Sequence, residues 1–122
     1  MILNTLVNEL PRFSYAYADE RQLHEALAMV LKAVGVSYTR EYIAGPHDRF
    51  DFLCDAGVVI EAKIKGTFSE ALRQIDRYCA RDDVHAVVLV TTRMWAQTRP
   101  WRGDASLRGE PIRMIRVGGQ AF

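Results

Sequence analysis

The most constraining stretch of this chain is 84–92, Val-His-Ala-Val-Val-Leu-Val-Thr-Thr. Beyond His85 it is apolar as far as Thr91, and its valines favour extended backbone over helix. A strand without a polar face must be covered on both faces, as in a parallel or mixed sheet packed between other layers. The chain offers helices for that purpose. Leu23, Leu27, Val30, Leu31 and Val34 form one apolar stripe over 19–34, and Gly35 is a natural stop. Thr67 and Glu70 have the spacing of a capping box that opens a second helix, running to about residue 81. Residues 1–18 are ambiguous; Leu3, Leu6, Val7 and Leu10 are helically spaced until Pro11.

Between the two helices lie three strand patterns. Residues 37–44 are rich in Tyr, Thr and Ile, and Gly45-Pro46-His47-Asp48 is turn chemistry. Residues 49–54 and 58–65 flank the short connection Asp55-Ala56-Gly57, and Gly66 ends the run. A further strand is expected at 112–117. The order helix, three strands, helix, strand predicts an α/β fold with a mixed central sheet and flanking helices.

At 122 residues and 49% hydrophobic, the chain is long enough for one domain with a real core. No run approaches a membrane span, and Met1-Ile2-Leu3-Asn4-Thr5 lacks the pattern of a secretory signal. Cys54 and Cys79 are no disulfide framework, and buried reduced thiols in a cytoplasmic protein are expected. The three histidines are scattered, without zinc spacing. The net charge of +1 hides an asymmetry. Residues 93–122 hold six arginines (Arg93, Arg99, Arg102, Arg108, Arg113, Arg116) against Asp104 and Glu110. A polyanion partner and a solvated basic extension explain that balance equally well. Trp95 and Trp101, interleaved with Arg99 and Arg102, suit either stacking on exposed bases or covering a sheet edge or dimer interface.

The chemistry concentrates in the hairpin 51–65. Val58, Ile60, Ala62 and Ile64 alternate onto one face, taken as the core face, with Val59, Glu61, Lys63 and Lys65 on the other. Phe50, Phe52 and Cys54 are expected on the same core face. A three-residue connection then pairs Cys54 with Val58, Phe52 with Ile60 and Phe50 with Ala62, and sets Asp51 across from Glu61. Opposed carboxylates repel. Three explanations stand: a shared proton, neutralisation by Lys63 and Arg49, or a divalent cation held by both carboxylates. Glu20, at the head of the first apolar stripe, is the third carboxylate whose direction suits a core-side cluster. Glu25 falls on the polar face near Lys32. Serving the helix N-terminus is the plain alternative for Glu20, and His24 is read as merely flanking the stripe.

Asp51, nine intervening residues, then Glu61-Ala62-Lys63 resembles the signature of the PD-(D/E)xK nuclease superfamily. Gln74 and Tyr78 are similar to the Gln-xxx-Tyr motif of its RecB-like branch. Glu20-Arg21 looks like the helix start of archaeal Holliday-junction resolvases. The likeness spans about residues 19–92, and Phe50 stands where the family's name has proline. It implies a restriction-endonuclease-like core within a single domain, 1–122, with 93–122 as a basic extension. It implies a Mg²⁺-dependent deoxyribonuclease, Mn²⁺ substituting, with no organic cofactor. Asp51, Glu61, the Ala62 carbonyl and Glu20 would hold the metal; Lys63 would act on the attacking water and Gln74 would orient the lysine or a phosphate. Tyr78 would support Gln74, and substrate contacts are expected from Tyr78, Lys65, Arg93, Arg99 and Arg102. DNA is the expected partner, and a homodimer the expected assembly. A nuclease-fold module that binds DNA or protein without cutting is the alternative.

Overall fold

The structure, a computed structural model, describes residues 2–98, 101 and 103–118. It begins with α1 (Ile2–Glu9), which a 3-10 turn at Leu10–Arg12 brings to an end at Pro11. The second helix, α2 (Glu20–Val34), starts where the Asp19 carboxylate accepts the Gln22 amide at 2.8 Å. It stops at Gly35, whose φ of 80° is free for a residue without Cβ. Strands β1 (Tyr38–Ile43), β2 (Arg49–Cys54) and β3 (Val58–Lys63) form an antiparallel meander. Helix α3 (Phe68–Cys79) opens with the expected capping box, Thr67 and Glu70 each accepting the other's amide.

After α3 the chain enters β4 (Ala86–Thr91), every residue of which is buried. It lies parallel to β3, Val58 beside Ala86 through Lys63 beside Thr91. A short 3-10 turn at Met94–Gln97 then leads to β5 (Ser106–Leu107) and β6 (Glu110–Arg116). Strand β6 runs parallel to β4, giving one six-stranded mixed sheet in the order β1-β2-β3-β4-β6-β5. The α/β class and the order from α2 to β4 are as expected. The full sheet is not: the expected order lacks β5, and α1 precedes it. The two-residue β5 is too short for a periodic signal; Arg108 and Gly109, with φ of 51° and 81°, turn it back onto β6.

Both faces of the sheet are covered. Leu6, Leu10, Leu23, Leu27 and Leu31 of the α1–α2 layer pack on Phe52, Ile60, Val88 and Val90. On the other face Ala71, Ile75 and Tyr78 of α3 pack on Val59, Val87, Leu89, Ile112 and Met114. Each fully buried aliphatic side chain contributes about 1.5–3 kcal/mol. The expectation of a single core face for β3 is therefore corrected: Val59 and Glu61 are as buried as Val58 and Ile60. Phe50 is corrected too. It packs under α3, its ring 4.7 Å from that of Tyr78, while Phe52 packs toward α2 with Tyr38. Strand β1 changes face at the same level, Tyr38 on the α2 side and Tyr42 stacked on Phe50. Between these tyrosines Glu41 has a φ of 50°, which breaks the two-residue alternation.

The segment after residue 92 is likewise no tail where it is described. Arg108 pairs with Asp76 of α3 at 2.9 Å, Arg113 donates to the carbonyls of Ala105 and Ile112, and Arg116 donates to that of Thr92. Both cysteines are free and buried, and burial pushes their thiols up, Cys54 to about 12 and Cys79 to about 11. No helix among the described residues is long and apolar enough to cross a membrane.

Candidate functional site

The ladder between β2 and β3 consists of Cys54↔Val58, Leu53↔Val59 and Phe52↔Ile60, in the expected register, and ends there. One residue further the strands fork, and carboxylates replace carbonyls as acceptors. The Asp51 amide donates to Glu61 Oε2 at 2.6 Å, and the Ala62 amide donates to Asp51 Oδ2 at 2.8 Å. Asp51 and Glu61 are thus level with each other, but they do not stand side by side on one exposed face. Each is hydrogen-bonded by the opposite strand's backbone, which lessens the repulsion that direct opposition would cause.

The two carboxylates meet different layers. Glu61, 3% exposed, lies toward α3, where the Tyr78 hydroxyl sits 3.3 Å from its Oε1 and 3.1 Å from the Arg49 carbonyl. Burial first, and the charge of Asp51 second, push the Glu61 carboxyl up to about 8; the Asp51 amide, Lys63 and Tyr78 oppose them. Burial likewise raises the Tyr78 hydroxyl. Tyr78 is 1% exposed, so it is a support for Glu61 and Arg49 rather than a surface contact for substrate.

Asp51 lies toward α2. Its Oδ2 is 3.1 Å from Nε2 of His24, which is half-buried beside Phe52. The ring N–H is not aligned for a good hydrogen bond, so the contact is best described as an ion pair. The Asp51 oxygen as acceptor, and after desolvation its charge, raise the His24 pKa. Glu20 does not fill this place. It is the exposed first residue of α2 and borders an open cavity of about 490 Å³ with Arg21, His24, Glu25, Arg40 and Glu41. Glu25 is held by Arg40 at 3.0 Å rather than lying by Lys32. Among the described residues no three His, Cys, Asp or Glu side chains converge as a metal-holding group. The helical phase that aimed Glu20 inward describes the α2 stripe, but β1 and β2 approach that stripe one turn later, at His24.

On the α3 side Lys63, Lys65, Gly66, Thr67, Glu70, Arg73, Gln74 and Arg77 line a cleft of about 300 Å³. Gln74 is half-buried, and its Oε1 is buried without a partner. Lys63 closes β3 at the lip of this cleft, two residues beyond Glu61. Arg93 is exposed just past the end of β4, whose last residue pairs with Lys63. Arg99 and Arg102 lie outside the described residues. Trp95 and Trp101 pack against Phe68, the first residue of α3, at ring separations of 5.3 and 5.5 Å.

Arg73, Arg77 and Asp48 were not expected at the site, and His24 was expected to hydrogen-bond substrate or simply to flank the stripe. His24 was legible as one helical turn beyond Glu20, but its partner is set by the fork. Arg73 and Arg77, four apart, share the cleft side of α3. Asp48, in the β1–β2 turn, is clamped by Arg77 at 2.7 Å and Arg81 at 3.4 Å, tying the start of β2 to α3. Compared with models of protein families, with curated proteins and with solved structures, the chain matches none of them.

Proposed function

We propose that this chain is a divalent-metal-dependent nuclease with a restriction-endonuclease-like core, hydrolysing phosphodiester bonds of DNA at the β2–β3 fork. The observation that carries the reading is the Asp51–Glu61 pair: two carboxylates docked on each other's strands, one of them buried, with Lys63 beside them. Such a pair is costly by itself, and one hard cation relieves the cost. The donor set fits Mg²⁺, which takes one or two carboxylates and completes its shell with water and phosphate oxygens. Asp51 and Glu61 would hold it, with the carbonyl of Ala62, the residue after Glu61, as a third oxygen. His24, not Glu20, is the α2 side chain that touches Asp51.

Bound there, the ion supplies positive charge for the scissile phosphate and a water of lowered pKa. The chain's own residues do the rest. In the hydrolysis a water oxygen would bond to phosphorus as the P–O bond to the sugar breaks, solvent taking the water's proton and returning one to the departing oxygen. Lys63 stabilises the charge that builds on the phosphoryl oxygens. Tyr78 fixes the Glu61 carboxylate against α3, and Gln74 presents an unpaired amide oxygen toward the lysine's cleft.

The test is cleavage of labelled junction, flap, duplex and single-stranded DNAs with Mg²⁺, Mn²⁺ or EDTA, for wild type and Lys63→Ala. Metal-dependent cutting, reduced by about 10² or more in the variant, is expected. Salt-sensitive binding without any cutting would overturn the nuclease reading in favour of a binding module.

A further inference from the structure

The two cavities beside the fork differ in charge. The one toward α2 is mixed, bordered by Glu20, Glu25 and Glu41 with Arg21, His24 and Arg40; Glu25 is already paired with Arg40, and Glu41 with Arg49. The one toward α3 has Lys63, Lys65, Arg73 and Arg77 against Glu70 alone. Glu70 is in turn occupied by the Thr67 amide and hydroxyl. Of the four cations, Arg77 is tied to Asp48, and Lys65 and Arg73 have no ion pair among the described residues. Elsewhere Arg49, Arg81 and Arg108 are matched by carboxylates, while Arg113 and Arg116 donate to carbonyls and line a separate cavity away from the fork.

We infer that the α3-side cleft holds the phosphate next to the scissile one on a single unpaired DNA strand, with Lys65 and Arg73 as its contacts. The inference rests on the nuclease reading for what lies at the fork, but its evidence is the one-sided charge. A duplex presents two phosphate rows about 20 Å apart and needs cations on both flanks of the site. Here the α2 flank is mixed in charge and lacks the cationic excess of the α3 side. A cleft of about 300 Å³ admits a sugar-phosphate unit. The half-buried Trp95 and Trp101 around Phe68, which follows Thr67 of the cleft, give unpaired bases rings to stack on.

The experiment is fluorescence anisotropy in EDTA, where nothing is cut, with a labelled oligothymidylate and a labelled duplex of equal length. Three proteins are compared: wild type, the double variant Lys65→Glu/Arg73→Glu, and Arg21→Glu on the opposite flank. All the substituted side chains are exposed, and circular dichroism checks that each variant is folded. Wild type should prefer the single strand. The cleft variant should lose on the order of tenfold in affinity, its salt slope shrinking by about 0.7 for each contact removed. Arg21→Glu should change binding by less than about twofold. Equal or tighter duplex binding, or an equal loss in Arg21→Glu, would overturn the inference. If wild type cuts with Mg²⁺ while the cleft variant binds normally, the cleft assignment fails and the nuclease reading survives. If the cleft variant loses binding but no metal supports cutting, the nuclease reading fails and the cleft assignment survives.

Discussion

The two flanks of the fork are built from the same ingredients and reach opposite results. Toward α2, Asp51 meets a histidine directly, beside an open cavity of mixed charge. Toward α3, Glu61 meets a buried tyrosine below a basic cleft. The difference comes from the layer behind each carboxylate. Helix α2 presents His24 beside Phe52, whereas α3 presents Tyr78 against Phe50. Two carboxylates one strand apart thus have unlike environments. One is nearly sealed from water and holds its proton more tightly, and the other keeps a half-buried histidine beside it whose pKa it raises. Unlike environments for like groups are what acid–base work and asymmetric metal binding both require.

The largest effect that bears on this contrast concerns the face change at Phe50. Phe50→Ala should cost about 3–5 kcal/mol by urea denaturation. Combined with Tyr78→Phe, which alone should cost about 1–2 kcal/mol, it should show a coupling energy of at least ~0.5 kcal/mol. Phe52→Ala should be as destabilising but additive with Tyr78→Phe. Coupling of Tyr78 to Phe52 instead of Phe50 would mean that the two flanks have been exchanged.

A smaller effect follows from protons. The Glu61 pKa is raised from its ordinary value to about 8, and the His24 pKa is raised as well. The folded protein therefore binds more protons than the unfolded chain between these values, and stability falls as pH rises. The contribution of Glu61 is fully present below about pH 4.5 and is lost as pH passes through about 8; that of His24 is lost in the same direction, above its ordinary 6.5. In EDTA, melting temperature should be higher at about pH 5.5 than at about pH 8, and Glu61→Gln should flatten the profile. Mg²⁺ should raise the melting temperature most at the higher pH, where Glu61 is free to bind it. A pH profile unchanged by Glu61→Gln would remove the contrast between the two carboxylates.

The smallest effect belongs to the surface of the α2 flank. Arg40→Gln breaks the exposed pair with Glu25 and should change stability by less than about 1 kcal/mol in urea titration. A larger loss would show that this flank is more tightly built than its open cavity implies.

Much of this molecule was determined by sequence alone, because local rules need no partner. The Thr67–Glu70 box, the Gly35 stop, the bounds of β2 and the buried β4 follow from capping geometry, glycine's free φ and the length of apolar runs. The three-residue turn likewise sets the register from Cys54↔Val58 to Phe52↔Ile60, since its length fixes which residues face each other. Tertiary structure alone decided where that register stops. Alternation assumes a regular strand, and Glu41 with its left-handed φ, the clamp on Asp48 and the repulsion at Asp51 and Glu61 make this hairpin irregular. Which helix lies over which face decided that His24 reaches Asp51 while Glu20 remains in solvent. Tertiary contacts decided that Arg108, in the β5–β6 turn, and Arg113 and Arg116 of β6 serve the fold and that Arg73 and Arg77 of α3 line the cleft. Those outcomes depend on distances between segments far apart in the chain, which no local pattern encodes.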